Sequence, residues 1–152
     1  MKVMVCVDGS APSERALRFA LRAVGHNSPD DELFVVNVPE ILAAPHSRYS
    51  VDDDSDLSAI NEARIRVSQD LINGMRTELT EKGMKNFVAE SICEKGNPKE
   101  ILLRLSKSRQ VDLLVTGSRS HTKKKSSLQQ LFVGSTSNYL VDHCKCSVVV
   151  VR

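Results

Sequence analysis

The sequence predicts an α/β sandwich, in which helices cover both faces of a parallel sheet. Short runs rich in valine alternate with segments whose apolar residues recur at helical spacing. Two of the strand-like runs lead into small and polar residues, at Asp8-Gly9-Ser10 and at Thr116-Gly117-Ser118. The 152 residues are 41% hydrophobic and 26% charged, which is enough to bury one core, so we expect a single domain over residues 1–152.

The first strand, helix and second strand are predicted from a short N-terminal stretch. Residues 2–7 are rich in valine and predict a buried strand, after which Ser10 or Ser13 is a suitable N-cap for a helix. Gly25 is expected just beyond the C-terminal end of that helix. Residues 33–38 predict the second strand.

A long connection is expected after the second strand. Pro39, Pro45 and the acidic run at residues 52–54 interrupt the periodicity from residue 39 to about residue 57, which predicts a loop. The acidic run has no flanking ligands at metal-site spacing, so a solvated loop is favoured over a metal site. The next helix is expected to end at Gly83. Its predicted apolar face comprises Ile60, Ala63, Val67, Leu71, Met75 and Leu79.

The second half of the chain continues the alternation. Asn97, Pro98 and Glu100 are typical of the N-cap, N1 and N3 positions of a helix, which follows a third strand at residues 87–93. The remaining elements are predicted as a fourth strand at residues 111–115, a helix through residues 138–142 and a last strand at residues 148–151.

The predicted ligand site lies where the strand order of such a sheet reverses, beyond the C-terminal strand ends. Asp8-Gly9-Ser10 and Thr116-Gly117-Ser118 follow different strands and are expected to meet there. Gly117, Ser118 and Ser120 can present backbone amides to an anion such as phosphate. Gly134-Ser135-Thr136 opens a helix, whose N-terminus also favours an anion.

Several of these residues have a purely structural interpretation as well. Asp8 is either a cap or an acceptor for a ligand hydroxyl or base edge. Gly117 is either a turn residue or part of the amide cradle, and Gly134 is either a tolerated helix glycine or a point of close approach to phosphate. The basic run at residues 123–125 is either a solvated loop or a source of positive charge for the site.

Composition and motifs exclude several classes of function. A net charge of +2 argues against a general nucleic-acid or anionic-membrane binder, and no apolar run approaches the ~20 residues of a membrane span. Cys144 and Cys146 lie beside His143 but lack the second ligand pair of a zinc site. The Walker A, dinucleotide and nucleophile-elbow motifs are missing, so we expect no dedicated enzyme. We also expect no metal, and a soluble cytoplasmic protein with neither nucleic-acid nor membrane partners.

Five segments together resemble the universal stress protein family. They are VCVDGSAPSERALRFAL at residues 5–21, VVNV at 35–38, EKGNPKEIL at 94–102, VDLLVTGSRS at 111–120 and VGSTSNYLVDHCKCSVVVVR at 133–152. The resemblance implies a doubly wound, three-layer fold with five parallel strands in the order 3-2-1-4-5. It also implies a homodimer in which the last strand pairs across the subunit boundary.

The resemblance further implies ATP, with or without Mg²⁺, as the ligand. Many members bind it through a G-x-x-G-x(9)-G-[ST] loop, in which Gly117, Gly134 and Ser135 would line the phosphates. Asp8 and Val38 would border the adenine and ribose. This chain departs from the motif, because Ser120 replaces the second glycine and 13 residues, 121–133, precede Gly134.

Three functions are therefore compared. The favoured one is a dimeric, nucleotide-dependent regulatory module that binds ATP or a related adenine nucleotide. The second is an interaction module of the same fold that binds no nucleotide, which the altered glycine loop favours. The third, an adenylate-forming enzyme, requires a glycine- and serine-rich loop after the first strand, where this chain has only Asp8-Gly9-Ser10.

Overall fold

A computed structural model describes residues 1–24, 30–43, 53–118 and 134–152, without the side chains of residues 53–55. The elements in chain order are β1 (Lys2–Cys6), α1 (Ala11–Ala23), β2 (Glu32–Asn37), α2 (Asp53–Glu81), β3 (Phe87–Ser91), α3 (Pro98–Ser108), β4 (Leu113–Gly117), α4 (Ser135–His143) and β5 (Ser147–Val151).

The five strands form one parallel sheet in the order β3-β2-β1-β4-β5, which confirms the predicted doubly wound fold. Cys6 at the end of β1 lies opposite Val36 of β2 and Thr116 of β4. The turn after β1 therefore lies between the ends of β2 and β4, where the strand order reverses.

Two apolar cores lie on the two faces of the sheet. Alternate residues of β1 face opposite ways, so Val3 and Val5 belong to one core and Met4 belongs to the other. The first core includes Ala16, Leu17 and Ala20 of α1 and Ile72, Met75 and Leu79 of α2. The second includes Ile101, Leu102 and Leu105 of α3 and Leu140 of α4. The helices thus form the outer two layers of the sandwich.

Helix caps agree with the local sequence. Ser10 is the N-cap of α1, and its hydroxyl accepts a hydrogen bond from the Ser13 amide at 3.4 Å. Asn97 is the N-cap of α3, and its side chain accepts from the Lys99 amide at 3.3 Å. Gly83 has a φ of 76° at the end of α2, as predicted for a C′ glycine. The predicted C′ residue Gly25 lies outside the described residues.

The fourth strand differs most from its predicted bounds, since it covers residues 113–117 and not 111–115. Gln110 adopts a φ of 54°, and the amides of Gln110 and Val111 donate to the carbonyls of Lys107 and Ser106 at 3.1 and 3.0 Å. These bonds form a Schellman motif, so Val111 ends α3 instead of starting β4. At the other end, pairing with Val151 extends the strand to Gly117.

The start of α2 and the ends of the other strands also differ from expectation. The helix begins at Asp53, inside the stretch predicted to be a loop, and it places Asp56 near its N-terminus, where the helix dipole favours an acidic residue. The first strand ends at Cys6, the second covers residues 32–37, the third stops at Ser91 and the last begins at Ser147.

Within the described ranges, no helix combines the length and apolarity that crossing a membrane requires.

Candidate functional site

A cavity of about 780 Å³ lies at the C-terminal ends of β1, β2 and β4. Two turns distant in sequence converge there, as the sequence predicted, because Asp8 and Ser10 line the same cavity as Thr116 and Gly117. The other predicted residues that line it are Val38, Gly134, Ser135 and Thr136. Gly9 and Ser118 are not among the lining residues, and Ser120 lies outside the described part of the chain.

The turn after β1 is held by the Asp8 carboxylate. Its Oδ1 accepts hydrogen bonds from the Ser10 amide at 3.0 Å and the Ser10 hydroxyl at 2.5 Å. The Asp8 amide donates to Ser13 Oγ at 3.2 Å, which ties the turn to the first turn of α1. Gly9 has a φ of 76°, a conformation that other residues adopt only at a cost. Asp8 therefore caps this turn, and it also lies on the cavity wall.

Gly117 is required by packing against α1. A Cβ at this position would lie 2.6 Å from the carbonyl carbon of Pro12 and 2.8 Å from the Ser13 nitrogen. The next amide, that of Ser118, donates to the Val151 carbonyl at 2.8 Å, and the Ser118 side chain is buried. This amide is therefore engaged in the sheet and not presented to the cavity as the predicted cradle requires.

The N-terminus of α4 opens into the cavity. Gly134 is the N-cap, and no described side chain accepts a hydrogen bond from the first-turn amides there. The Ser137 hydroxyl turns back and donates to the Gly134 carbonyl at 2.9 Å. The first-turn amides and the helix dipole give this end a positive potential that suits an anion.

Two cationic side chains line the cavity in the described part of the chain, and sequence analysis identified neither of them. Arg64 of α2 donates to the Glu40 carbonyl at 2.6 Å and lies 3.6 Å from the Glu40 carboxylate. Lys99 of α3 places its ammonium group 4.9 Å from the ring centroid of Tyr139 in α4. Their positions depend on how α2, α3 and α4 pack, so the residues next to them in the chain carry no signal of this role.

A buried polar network fixes the wall formed by α2. The Asn37 amide nitrogen donates to the Val7 carbonyl at 2.5 Å, while its Oδ1 accepts a hydrogen bond from the Ser68 hydroxyl. Ser68 also shares a hydrogen bond with Ser91 of β3. The network connects β1, β2, β3 and α2. The sequence signals for it are Asn37, a polar residue inside the strand predicted at residues 33–38, and Ser68, which directly follows the apolar Val67 on a predicted helix.

Cys6 lies half-buried on the cavity wall. Burial, with smaller contributions from Cys144 and Asp8, raises the pKa of the Cys6 thiol to about 12. The thiol therefore stays protonated at neutral pH, and its sulfur is a poor nucleophile and metal ligand in that form. No cluster of three metal-ligating side chains is present among the described residues.

The cavity combines two chemically different walls. Ala63, Val67 and Leu71 of α2 form an apolar wall, whereas α3 and α4, which pack with Val38 on the other face of the sheet, carry Lys99 and the α4 N-terminus. Such a site suits a ligand with a flat, weakly polar part and an anionic part.

Comparisons with known proteins agree with the observed fold. The model of the universal stress protein family matches residues 1–152. A putative universal stress protein of Staphylococcus saprophyticus is 33% identical over 151 residues, which cover 99% of this chain and 82% of the relative.

Solved structures show the same fold. Universal stress protein UspA from Lactobacillus plantarum has a TM-score of 0.76 at 24% identity, with 100% of this chain and 97% of that chain covered. A universal stress protein family protein from Arabidopsis thaliana with AMP bound has a TM-score of 0.66 at 21% identity, with 99% and 90% covered. A universal stress protein in complex with cAMP has a TM-score of 0.60 at 18% identity, with 100% and 97% covered.

The doubly wound sheet, the cavity at the point where its strand order reverses and the family match over the whole chain lead to one identification. This chain belongs to the universal stress protein family.

Proposed function

We propose that this chain is a cytoplasmic stress-response protein that binds an adenine nucleotide, ATP in particular, in the cavity beside Asp8. It acts as a homodimeric regulatory module that responds to the bound nucleotide. The observation that carries the proposal is the convergence of the β1 and β4 turns and the α4 N-terminus on one cavity with an apolar wall. The neighbours with bound AMP and cAMP support an adenine nucleotide as the ligand class.

Each part of such a ligand has a suitable wall in the cavity. Val38, Val67 and Leu71 offer apolar surface to the base, since bases are flat and bury well against aliphatic side chains. The amides of Ser135 and Thr136 at the start of α4 offer donors and a positive helix end to the phosphates.

The proposal is tested by titrating purified protein with adenosine, AMP and ATP in a calorimeter, in buffer with Mg²⁺. We expect saturable binding of AMP and ATP to the wild type. Val67→Glu places a carboxylate in the apolar wall and should weaken AMP binding about tenfold, because the bound base would remove water from that charged carboxylate. Val67 is 68% exposed, so this change leaves the core intact.

Ile60→Glu is the matched control. Ile60 lies on the same helix, is 46% exposed and does not line the cavity. It should bind AMP as the wild type does. A folded wild-type protein that gives no heat with millimolar AMP or ATP contradicts the proposal.

That negative outcome would favour the second candidate, an interaction module that binds no nucleotide. One observation supports this candidate, namely the engagement of the Ser118 amide by Val151, which removes a donor from the predicted phosphate cradle. Mass spectrometry of small molecules released from the purified protein separates the two functions independently of any added ligand.

A further inference from the structure

Lys99 is held in a defined position between two helices. It lies in the first turn of α3, two residues after the N-cap Asn97, and its side chain is half-buried. Its ammonium group lies 4.9 Å from the Tyr139 ring centroid, within range of a cation–π interaction. Tyr139 in turn stacks on His143, with ring centroids 4.1 Å apart and an interplanar angle of 16°. The lysine is thus partly ordered before any ligand arrives.

The position of Lys99 in the cavity is on the side of α4. The core formed with α1 and α2 lies on one face of the sheet, and the core formed with α3 and α4 lies on the other. Lys99 belongs to α3, and Tyr139 joins it to α4. Lys99 therefore lines the cavity on the same side as the first turn of α4, which no described side chain caps, and away from the apolar residues of α2.

The two cationic side chains that line the cavity among the described residues differ in their partners. Arg64 is bound by the carbonyl and carboxylate of Glu40. Lys99 forms no salt bridge with any described residue, and its neighbour is a neutral ring. An anion entering the cavity can therefore pair with Lys99 without first displacing a carboxylate, which would cost free energy.

We propose that Lys99 is the specificity-determining residue that recognises the phosphate tail of the bound nucleotide, and that Tyr139 is the residue that positions it. This inference rests on the proposed function, since it assigns a role within the same cavity. It implies that the contribution of Lys99 grows with the number of phosphates. A positioned ammonium group gains more from each added negative charge, whereas adenosine gives it no charge to pair with.

The test compares adenosine, AMP and ATP binding by calorimetry in wild-type protein, Lys99→Gln and Lys99→Arg. We expect Lys99→Gln to weaken ATP binding about tenfold, AMP binding by less, and adenosine binding by less than about twofold. Lys99→Arg keeps the charge and should restore most of the ATP affinity. Lys107→Gln removes the same charge from the exposed last turn of α3, outside this cavity, and should leave all three affinities unchanged.

Two further variants test the positioning role. Tyr139→Phe keeps the ring and should bind ATP as the wild type does, whereas Tyr139→Leu should weaken ATP binding and leave adenosine binding unchanged. Equal losses for ATP and adenosine in Lys99→Gln, or an equal loss of ATP binding in Lys107→Gln, overturn the role of Lys99. An unchanged ATP affinity in Tyr139→Leu overturns the role of Tyr139.

The same titrations separate this inference from the proposed function. Wild-type protein that binds neither AMP nor ATP overturns both. Wild-type protein that binds both nucleotides, with no selective loss of ATP binding in Lys99→Gln, overturns the inference alone.

Discussion

Gly117 shows that one residue type can satisfy a sequence motif for an unexpected reason. The sequence suggested that this glycine lets backbone approach a phosphate. In the structure the group that approaches is the backbone of Pro12 and Ser13, whose atoms lie 2.6–2.8 Å from the point that a Cβ would occupy. Real Cβ atoms do not reach such distances from a backbone carbonyl, so β4 and α1 pack this closely only because residue 117 has no side chain.

Substitution of Gly117 should therefore affect folding before it affects binding. We expect Gly117→Ala to lower the free energy of unfolding by about 1–3 kcal/mol, because the new methyl group forces α1 away from β4. Urea unfolding followed by circular dichroism measures the change. A nucleotide-binding defect in this variant is informative only when the variant remains folded.

Gly74→Ala is the matched control for that substitution. Gly74 lies inside α2, and a Cβ there would have no described atom within 4 Å other than those of its chain neighbours and of the helix backbone. The same chemical change should raise the free energy of unfolding by about 0.5–1 kcal/mol, since alanine loses less backbone entropy in a helix. Equal stability of the two variants would show that the contact with α1 is not what excludes a side chain at residue 117.

Residues with local partners were predictable, and those with distant partners were not. Ser10 and Asn97 bond to amides two or three residues away, so the sequence around them contains the whole interaction. Lys99 and Tyr139 are forty residues apart, and Ser68 bonds to Asn37 on another element. Their roles appear only once the helices are packed on the sheet.

At the scale of elements, α2 illustrates how an apolar pattern can serve two purposes. The predicted face runs from Ile60 to Leu79, but only its C-terminal part, with Met75 and Leu79, is buried in the core. Ala63, Val67 and Leu71 line the cavity instead. Periodicity detects that a face is apolar, and it does not distinguish a face covered by the sheet from one that borders a ligand site.

The outer edge of β3 is protected by a side chain from α2. The Leu33 amide donates to the Asn86 carbonyl, and the Ile92 amide donates to the Asn37 carbonyl. The even-numbered residues of β3 therefore direct their backbone N–H and C=O groups at β2. Ala89 therefore directs its carbonyl away from the sheet, and Arg76 donates to it at 2.7 Å. A charged side chain held against an edge strand opposes the pairing of that edge with another chain.

Removing Arg76 should make this edge available for self-association. We expect Arg76→Ala to form larger species as protein concentration rises, because the Ala89 carbonyl is left without its donor. Light scattering after size-exclusion chromatography detects them. Arg66→Ala is the control, since Arg66 is 77% exposed and its ion-pair partner Glu62 lies on the same helix. Equal association of both variants would refute the protective role.

At the scale of the whole molecule, the strand order was predictable from the sequence, and the composition of the cavity walls was not. Alternating strands and helices limit the topology to a few arrangements, and the family resemblance selects one of them. The convergence of the turns after β1 and β4 follows from that order. The composition of the opposite cavity walls does not, because it depends on which faces α2, α3 and α4 present after packing.

The other edge of the sheet, β5, is the edge through which we propose that the homodimer forms. The Ser147 amide donates to the Asp112 carbonyl, and the Val151 carbonyl accepts from the Ser118 amide. Residues 147, 149 and 151 therefore direct their backbone N–H and C=O groups at β4. Val148 and Val150 consequently direct their backbone N–H and C=O groups outward, away from β4. These outward groups are the ones that a second copy of β5 would bond in a continuous sheet.

Val150→Pro should therefore separate assembly from folding. Proline removes an outward-directed amide hydrogen and leaves the ladder with β4 intact, so we expect a folded monomer where the wild type is a dimer. Val149→Pro removes an amide of the ladder itself and should lower the thermal unfolding midpoint much more. Sedimentation velocity gives the assembly state and differential scanning calorimetry gives the midpoint. A Val150→Pro protein that remains dimeric would place the subunit interface elsewhere, and a wild-type monomer at high concentration would remove dimerisation from the proposed function.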